Sequence, residues 1–330
     1  GSAGFIGYYL GQRLLADGFR VIGVDSLSDY YDPNLKRRRQ ANLLQNAGFS
    51  AVNEPIETPD LLADLFAEHR PDIVVHLAAQ AGVRYSIDNP RSYLESNLVG
   101  TFELLEAARA HPPQHMLLAS TSSAYGANTE MPYRETMKAD HQMSFYAATK
   151  KATEAMAHSY AHLFALPVTM FRFFTVYGPW GRPDMALYLF TDAIVRGEPI
   201  NIFNNGEMSR DFTYVDDIVE GVLRIAEMVA EPDPDWDASA PDPATSNAPY
   251  RIYNIGNNQP VKLLDYVEAL ENSLGRKATR NLMPMQPGDV KNTYADVTKL
   301  TEAVGYRPST SVKDGVERFV AWYREYHGID

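Results

Sequence analysis

Apolar residues are spaced in two ways along this chain. Short, nearly unbroken apolar runs read as buried strands: Val21-Ile22-Gly23-Val24, Ile73-Val74-Val75-His76-Leu77, His115-Met116-Leu117-Leu118-Ala119-Ser120 and Pro167-Val168-Thr169-Met170-Phe171-Arg172-Phe173-Phe174. Longer amphipathic stretches lie between them and predict helices over residues 5–16, 60–70, 90–110 and from 145 onward, the first ended by Gly18. Strands that alternate with helices predict an α/β fold with a doubly wound parallel sheet, whose ligands sit at the strand carboxyl ends. A later strand is expected around Tyr253-Asn254-Ile255-Gly256. A closing helix is expected over 312–327, with Val316, Phe319, Val320 and Tyr323 at helical spacing. Residues 231–249, rich in Pro, Asp and Ala, predict a mobile surface loop. The division expected is 1–174 for the sheet domain and 175–330 for a smaller α/β substrate-binding domain, some of whose segments return to the first sheet.

Composition narrows the partners. A formal net charge of −12 argues against nucleic acid or an anionic membrane, and requires local Arg or Lys for any anionic substrate. With no cysteine, disulfides, thiol nucleophiles and cysteine–metal sites are excluded. No apolar run has membrane-spanning length and no secretory segment is evident, so a cytoplasmic protein is expected. His158 and His162 are four apart but lack a third ligand, and they read as a solvated helix face; no metal site is predicted.

Candidate chemistry begins at Gly1-Ser2-Ala3-Gly4-Phe5-Ile6-Gly7. Glycines three apart ahead of a helix let backbone amides approach a pyrophosphate. A strand normally feeds such a turn, so one is expected upstream of Gly1. Asp25 ends the next strand, 18 residues beyond Gly7, where an acid accepts ribose hydroxyls and repels a 2′-phosphate. The small residues Ala78 and Ala79, after Leu77, let a flat cofactor lie close to the backbone. Lys36-Arg37-Arg38-Arg39 reads either as a solvated helix face or as a cluster near bound phosphates. Thr121-Ser122-Ser123 follows a strand and offers hydroxyls to a substrate, or simply forms a hydroxyl-capped turn. Tyr146 and Lys150 stack one helical turn apart, and no other tyrosine in the chain has lysine four residues on. Lowering a phenol from pKa ~10 to ~7.5 needs about 3.4 kcal/mol, roughly what one cation at ~4 Å supplies at an effective dielectric of ~20.

Gly1/Gly4/Gly7, Asp25, His76-Leu77-Ala78-Ala79, Thr121 and Tyr146-x-x-x-Lys150, in this order, resemble the extended short-chain dehydrogenase/reductase family over essentially the whole chain. The resemblance implies a Rossmann domain and tightly held NAD. It implies Tyr146 as catalytic base, Lys150 on the nicotinamide ribose, Thr121 as hydroxyl partner and a homodimer. The acid often found near the adenine is replaced around Pro55-Ile56.

The run 180–186, Trp-Gly-Arg-Pro-Asp-Met-Ala, is similar to that of the UDP-glucuronate 4-epimerases, which implies Thr175 and Arg182 near a sugar carboxylate. Ile202, Phe203 and Arg210 fall in segments that resemble the family's UDP-binding segments, and Arg84 joins them as an implied substrate contact. Relatives that dehydrate or decarboxylate their sugar carry carboxylates where this chain has Ser122 and Ser123. The expected reaction is therefore C4 epimerisation of UDP-glucuronate to UDP-galacturonate through a 4-keto sugar. The alternatives are a UDP-glucuronate decarboxylase, a neutral UDP-hexose epimerase and a non-catalytic NAD-binding regulator.

Overall fold

The computed structural model describes residues 1–329. Strands Ile73–His76, His115–Thr121, Val168–Phe173 and Tyr250–Ile255 form, in that order, an all-parallel sheet. A second parallel pair, Val21–Val24 with Phe49–Val52, lies beside it. Between the two sheets runs a slot of about 970 Å³ lined by Val24, Val74, Val75, Leu77 and the first helix's Leu10 and Leu14. Side-chain alternation in the central strand sends Met116 and Leu118 to one face and Leu117 to the other. Helices Leu61–His69, Gly100–Ala110 and Phe145–Phe164 cover the first face, while Phe5–Ala16 and Val215–Ala226 cover the second.

A smaller lobe is built around Ser209–Tyr214, which pairs parallel with Thr175–Tyr177 and antiparallel with Pro260–Lys262. Ile200–Ile202 and Arg280–Leu282 form a further parallel pair. Helices Ala186–Arg196, Leu263–Leu274 and Val312–His327 close on this lobe. Phe212 stacks flat on Tyr266 at 3.9 Å, and Val316, Phe319, Val320 and Tyr323 are all buried, as their spacing predicts. Between Ser209–Tyr214 and Pro260–Lys262 the chain returns to the first sheet through Tyr250–Ile255.

Two regions depart from the sequence reading. The helix expected over 90–110 is broken: Pro90–Tyr93 and Gly100–Ala110 are α-helical, but Leu94–Val99 forms a wider π turn. Residues 231–249 contain no helix or strand, yet they are fastened along the outer edge of the sheet. Ile252 N–H donates to the Ala244 carbonyl at 2.9 Å, Lys299 reaches Asp242 at 2.8 Å, and Ala244, Ser246 and Ala248 are buried. His158, expected in solvent, meets Ser246 Oγ at 2.8 Å. Small side chains here allow a close, irregular fit that composition alone does not reveal.

A buried ion pair joins these layers. Glu154, on the long helix Phe145–Phe164, accepts from Arg172 Nε and Nη2 at 2.9 and 2.8 Å, from Ser120 Oγ at 2.6 Å and from Lys151 at 2.9 Å. Arg172 also lies over the Tyr125 ring at 4.6 Å, and Tyr125 donates to Asn254 at 2.7 Å. Helix, two strands and the turn after Thr121 are thereby locked to one another. Burial works to raise the Glu154 pKa, but Arg172, Lys151 and the Ser120 hydroxyl overcome it and hold the carboxyl at about 2, below its ordinary 4.5. A depressed carboxyl contributes stability that is complete above the unfolded value and lost as pH falls through the folded one. Glu154→Gln is expected to destabilise by about 3–5 kcal/mol, because it strands a buried guanidinium. Urea unfolding between pH 3 and 7 checks this: the variant should show the deficit at neutral pH and lose the wild type's extra acid sensitivity below pH 4.5.

Candidate active site

The carboxyl ends of the sheet strands open into a cleft of about 820 Å³ between the sheet and the smaller lobe. At one end, Gly1 to Gly7 form a turn that leads into the first helix. A Cβ on Gly7 would lie 2.1 Å from the Gly1 carbonyl oxygen, and one on Gly1 would lie 2.6 Å from Ala78 N. Glycine is thus required for the turn to fold on itself and rest against the next strand end. Gly1, Gly4, Phe5, Ile6, Gly7, Leu77, Ala78 and Ala79 all line this end, as does Asp25. Asp25 is also structural: its carboxylate accepts from Ala3 N at 3.0 Å and Leu27 N at 2.8 Å, fixing the turn to the strand end. The cradle fits a dinucleotide, since amides at a helix N-terminus can meet phosphate and the Asp25 carboxylate lines the same end of the cleft, where it could accept from a ribose hydroxyl. Ile56 also lines this end of the cleft.

The centre of the cleft is set by the long helix. Ser144 caps it by accepting from Ala147 N at 3.1 Å, which puts Tyr146 in the first turn and Lys150 one turn deeper. Thr121, Ser122 and Ser123 face them from the end of the central strand. Thr121 Oγ1 accepts from Ser123 N at 3.2 Å. The hydroxyl-capped turn is therefore real, and the Thr121 proton is still available to a ligand. Burial raises the Tyr146 pKa, and the Thr121 hydroxyl and the Arg182 cation pull it back only in part. This differs from the expectation that Lys150 alone would lower it. Burial penalises both members of the pair, and Lys150 itself is brought down to about 8, with Glu154 opposing the shift.

The far wall comes from the smaller lobe. Thr175, Arg182, Phe203 and Arg210 line it, and Arg84 reaches over from the sheet side with its guanidinium 5.6 Å from the Phe203 ring. Ile202 does not line the cleft; its side chain is fully buried in the lobe's core, because alternate residues of that short strand point inward. Two of the three arginines, Arg182 and Arg210, are already paired with carboxylates. Arg182 makes a fork with Asp184, with Nε at 3.0 Å, and Asp184 also accepts from the Tyr30 hydroxyl at 3.0 Å. Arg210 meets Asp289 at 3.2 Å and the carbonyls of Ser209 and Lys291 at 2.9 Å.

Three contributors were not assigned from sequence. Asn97, in the π turn, accepts from Gln80 N at 2.8 Å and donates to the Gln80 carbonyl and Thr149 Oγ1 at 3.1 and 3.0 Å. It ties the loop after Ala79 to the helix that carries Tyr146. Lys36 and Arg39 turn inward from the basic run, whereas Arg37 and Arg38 stay exposed. Lys36 lines the cleft and donates to Ser28 at 2.7 and 2.8 Å. The three-residue spacing of Lys36 and Arg39 on one helix face was the available signal.

Among the described residues no helix is long and apolar enough to cross a membrane, and no cluster of three or more His, Asp or Glu is arranged to hold a metal ion.

Comparison with known proteins places the chain in a family. Residues 1–256 match the model of the NAD dependent epimerase/dehydratase family. The chain is 50% identical over 327 residues to "Probable UDP-glucuronate 4-epimerase" of Rhizobium meliloti, covering 98% of this chain and 95% of that protein. It is 45% identical over 335 residues to UDP-glucuronate 4-epimerase 4 of Arabidopsis thaliana, covering all of this chain and 75% of the plant protein. Among solved structures, UDP-glucuronic acid 4-epimerase from Bacillus cereus, crystallised with UDP-glucuronic acid and NAD, superposes with a TM-score of 0.88. That match has 32% identity and covers 98% of each chain. From its glycine turn to its Tyr146–Lys150 helix, the chain belongs to the NAD dependent epimerase/dehydratase family.

Proposed function

We propose that the protein inverts C4 of UDP-glucuronate to give UDP-galacturonate, with NAD held by the glycine turn, Asp25 and the Leu77-Ala78-Ala79 strand end. The observation that carries this reading is the wall around Tyr146, where Thr121, Ser122, Ser123 and Thr175 supply hydroxyls and no carboxylate follows Thr121. Relatives that share about half of the sequence are named for this reaction.

Bound NAD would supply the hydride acceptor and a positive ring beside the phenol. Tyr146 takes the C4 hydroxyl proton, and Thr121 orients that hydroxyl. Lys150, one turn deeper in the cleft lining, would hold the nicotinamide ribose and would add positive charge to the site. With no carboxylate at Ser122 or Ser123 to remove the C5 proton, elimination is disfavoured; the 4-keto sugar would turn over and take back on its other face the hydride that NAD would have received from C4, with the proton returned by Tyr146. A 4-keto hexuronate is a β-keto acid and loses CO₂ when its carboxylate bond aligns with the ketone π system. The hydroxyls of Thr121, Ser122, Ser123 and Thr175 hold the carboxylate out of that alignment.

The same reading takes the protein as a cytoplasmic homodimer that binds neither nucleic acid nor membrane. Exposed Leu94, Phe102, Phe145 and Phe164 on neighbouring helices support a helix-to-helix interface.

Incubation with UDP-glucuronate, read by NMR, should yield UDP-galacturonate. UDP-xylose as sole product would instead indicate a decarboxylase, and no turnover a regulator. Tyr146→Phe should lower kcat by about 10²–10⁴ while nucleotide sugar still binds; retained turnover would remove Tyr146 from the base role. Thr175→Ala or Ser122→Ala should release some UDP-pentose beside the epimer, and slower epimerisation alone would refute the alignment argument. Gly7→Ala, which sets a methyl 2.1 Å from the Gly1 carbonyl, should yield folded protein without its NAD absorbance.

A further inference from the structure

Arg39 is fully buried, yet among the described residues it forms no ion pair. Its guanidinium donates only to neutral oxygens: the Ala3 carbonyl at 3.0 Å, the Tyr31 hydroxyl at 2.9 Å, and the carbonyls of Trp180 and Gly181, the latter at 3.3 Å. Its Nε is buried without a partner. A buried cation answered only by dipoles is expensive, and a solvated helix face would not contain one.

Each acceptor adjoins a working part of the cleft. Ala3 lies inside the glycine turn. Tyr31 follows Tyr30, whose hydroxyl donates to Asp184 at 3.0 Å. Trp180 and Gly181 lead directly into Arg182, whose fork is closed by the same Asp184. Trp180 has φ +56, a left-handed conformation that a bulky residue resists. Its ring is wedged against Tyr8, Trp322 and Tyr326, and its carbonyl is held by Arg39. Both arms of the Arg182–Asp184–Tyr30 group are thus anchored on one guanidinium that is also bonded to the cofactor turn.

We propose that Arg39 is a positioning residue that holds the Arg182–Asp184–Tyr30 wall in register with the glycine turn and so sets affinity for the acidic sugar. The proposal rests on the UDP-glucuronate reading. Arginine is needed because only a planar fork serves acceptors on three separate segments; lysine would offer one point charge. Arg182 is the group through which the effect is felt, and its cation also bears on Tyr146.

The test compares UDP-glucuronate with UDP, which lacks the sugar acid, by calorimetric titration of the NAD-loaded protein. Arg39→Lys should weaken UDP-glucuronate about tenfold and UDP less than about twofold, a gap equivalent to about 1 kcal/mol. Tyr31→Phe removes a single oxygen from the network, leaves the fold intact, and should give about a threefold loss in the same sense. Placed on Arg182→Ala, neither change should weaken UDP-glucuronate further, because the group they position is gone. Parallel losses for both ligands, unchanged affinity for both, or full additivity with Arg182→Ala would overturn the proposal. If Arg39→Lys does not fold, Tyr31→Phe alone decides. A wild-type protein that leaves UDP-glucuronate unchanged removes the reading of function, and the inference with it. A wild-type protein that is active, with variants that keep the UDP-glucuronate to UDP ratio, removes the inference alone.

Discussion

The pairing of Glu154 with Arg172 is the constraint on which the site is built. One carboxylate receives two donors from the guanidinium, one from Ser120 and one from Lys151, in a place that water does not reach. Removing either partner would leave a charge that the interior cannot solvate, so the helix and both strands have a single low-energy arrangement. Glu154 lies one turn below Lys150 and two below Tyr146, and the pair therefore sets how deep both functional side chains sit.

Strand geometry carries the constraint further. Ser120 points towards Glu154, so its neighbour Thr121 must point the opposite way, into the cleft. Ser120 and Thr121 thus divide the strand end between the buried ion pair and the cleft. Burial has a second consequence. It pushes the Tyr146 phenol up and brings the Lys150 ammonium down to about 8, so the chain by itself does not create a tyrosinate. The low dielectric that opposes charge here also magnifies any positive charge placed beside the phenol.

Elements were legible wherever one period dominated. The sheet strands and the closing helix appear where their apolar spacing puts them, because burial on one face and periodicity are the same fact. The Tyr146–Lys150 helix was legible for the same reason. What escaped depends on tertiary partners. Nothing in the run Leu94 to Val99 announces a π turn; it exists because Asn97 must reach both Gln80 and Thr149. Arg39 looks like its exposed neighbours until Ala3, Tyr31 and Trp180 converge on it from three other segments. Ile202 was assigned to the cleft by segment likeness, but strand alternation turns it into the core. The loop 231–249 has the composition of a mobile segment, yet small side chains let it pack.

The charge of the cleft is the least intuitive outcome. An acidic protein that takes an anionic ligand calls for free cations, yet of those lining the cleft Arg182 and Arg210 are both tied to aspartates, and among the described residues Lys36, Arg84 and Lys150 line it without such an ion pair. A guanidinium has five donors, and a carboxylate that holds some of them fixes the direction of the rest. Pre-pairing thus trades raw attraction for orientation. It also limits the cost of keeping a cation in a partly buried wall before a ligand arrives. On the proposed reading, a sugar carboxylate entering this site is met first by oriented hydroxyls and only secondarily by net positive charge. Selectivity for the acid then depends on where the hydroxyls and the Arg182 donors point, and for Arg182 this in turn depends on how firmly the 180–184 segment is held.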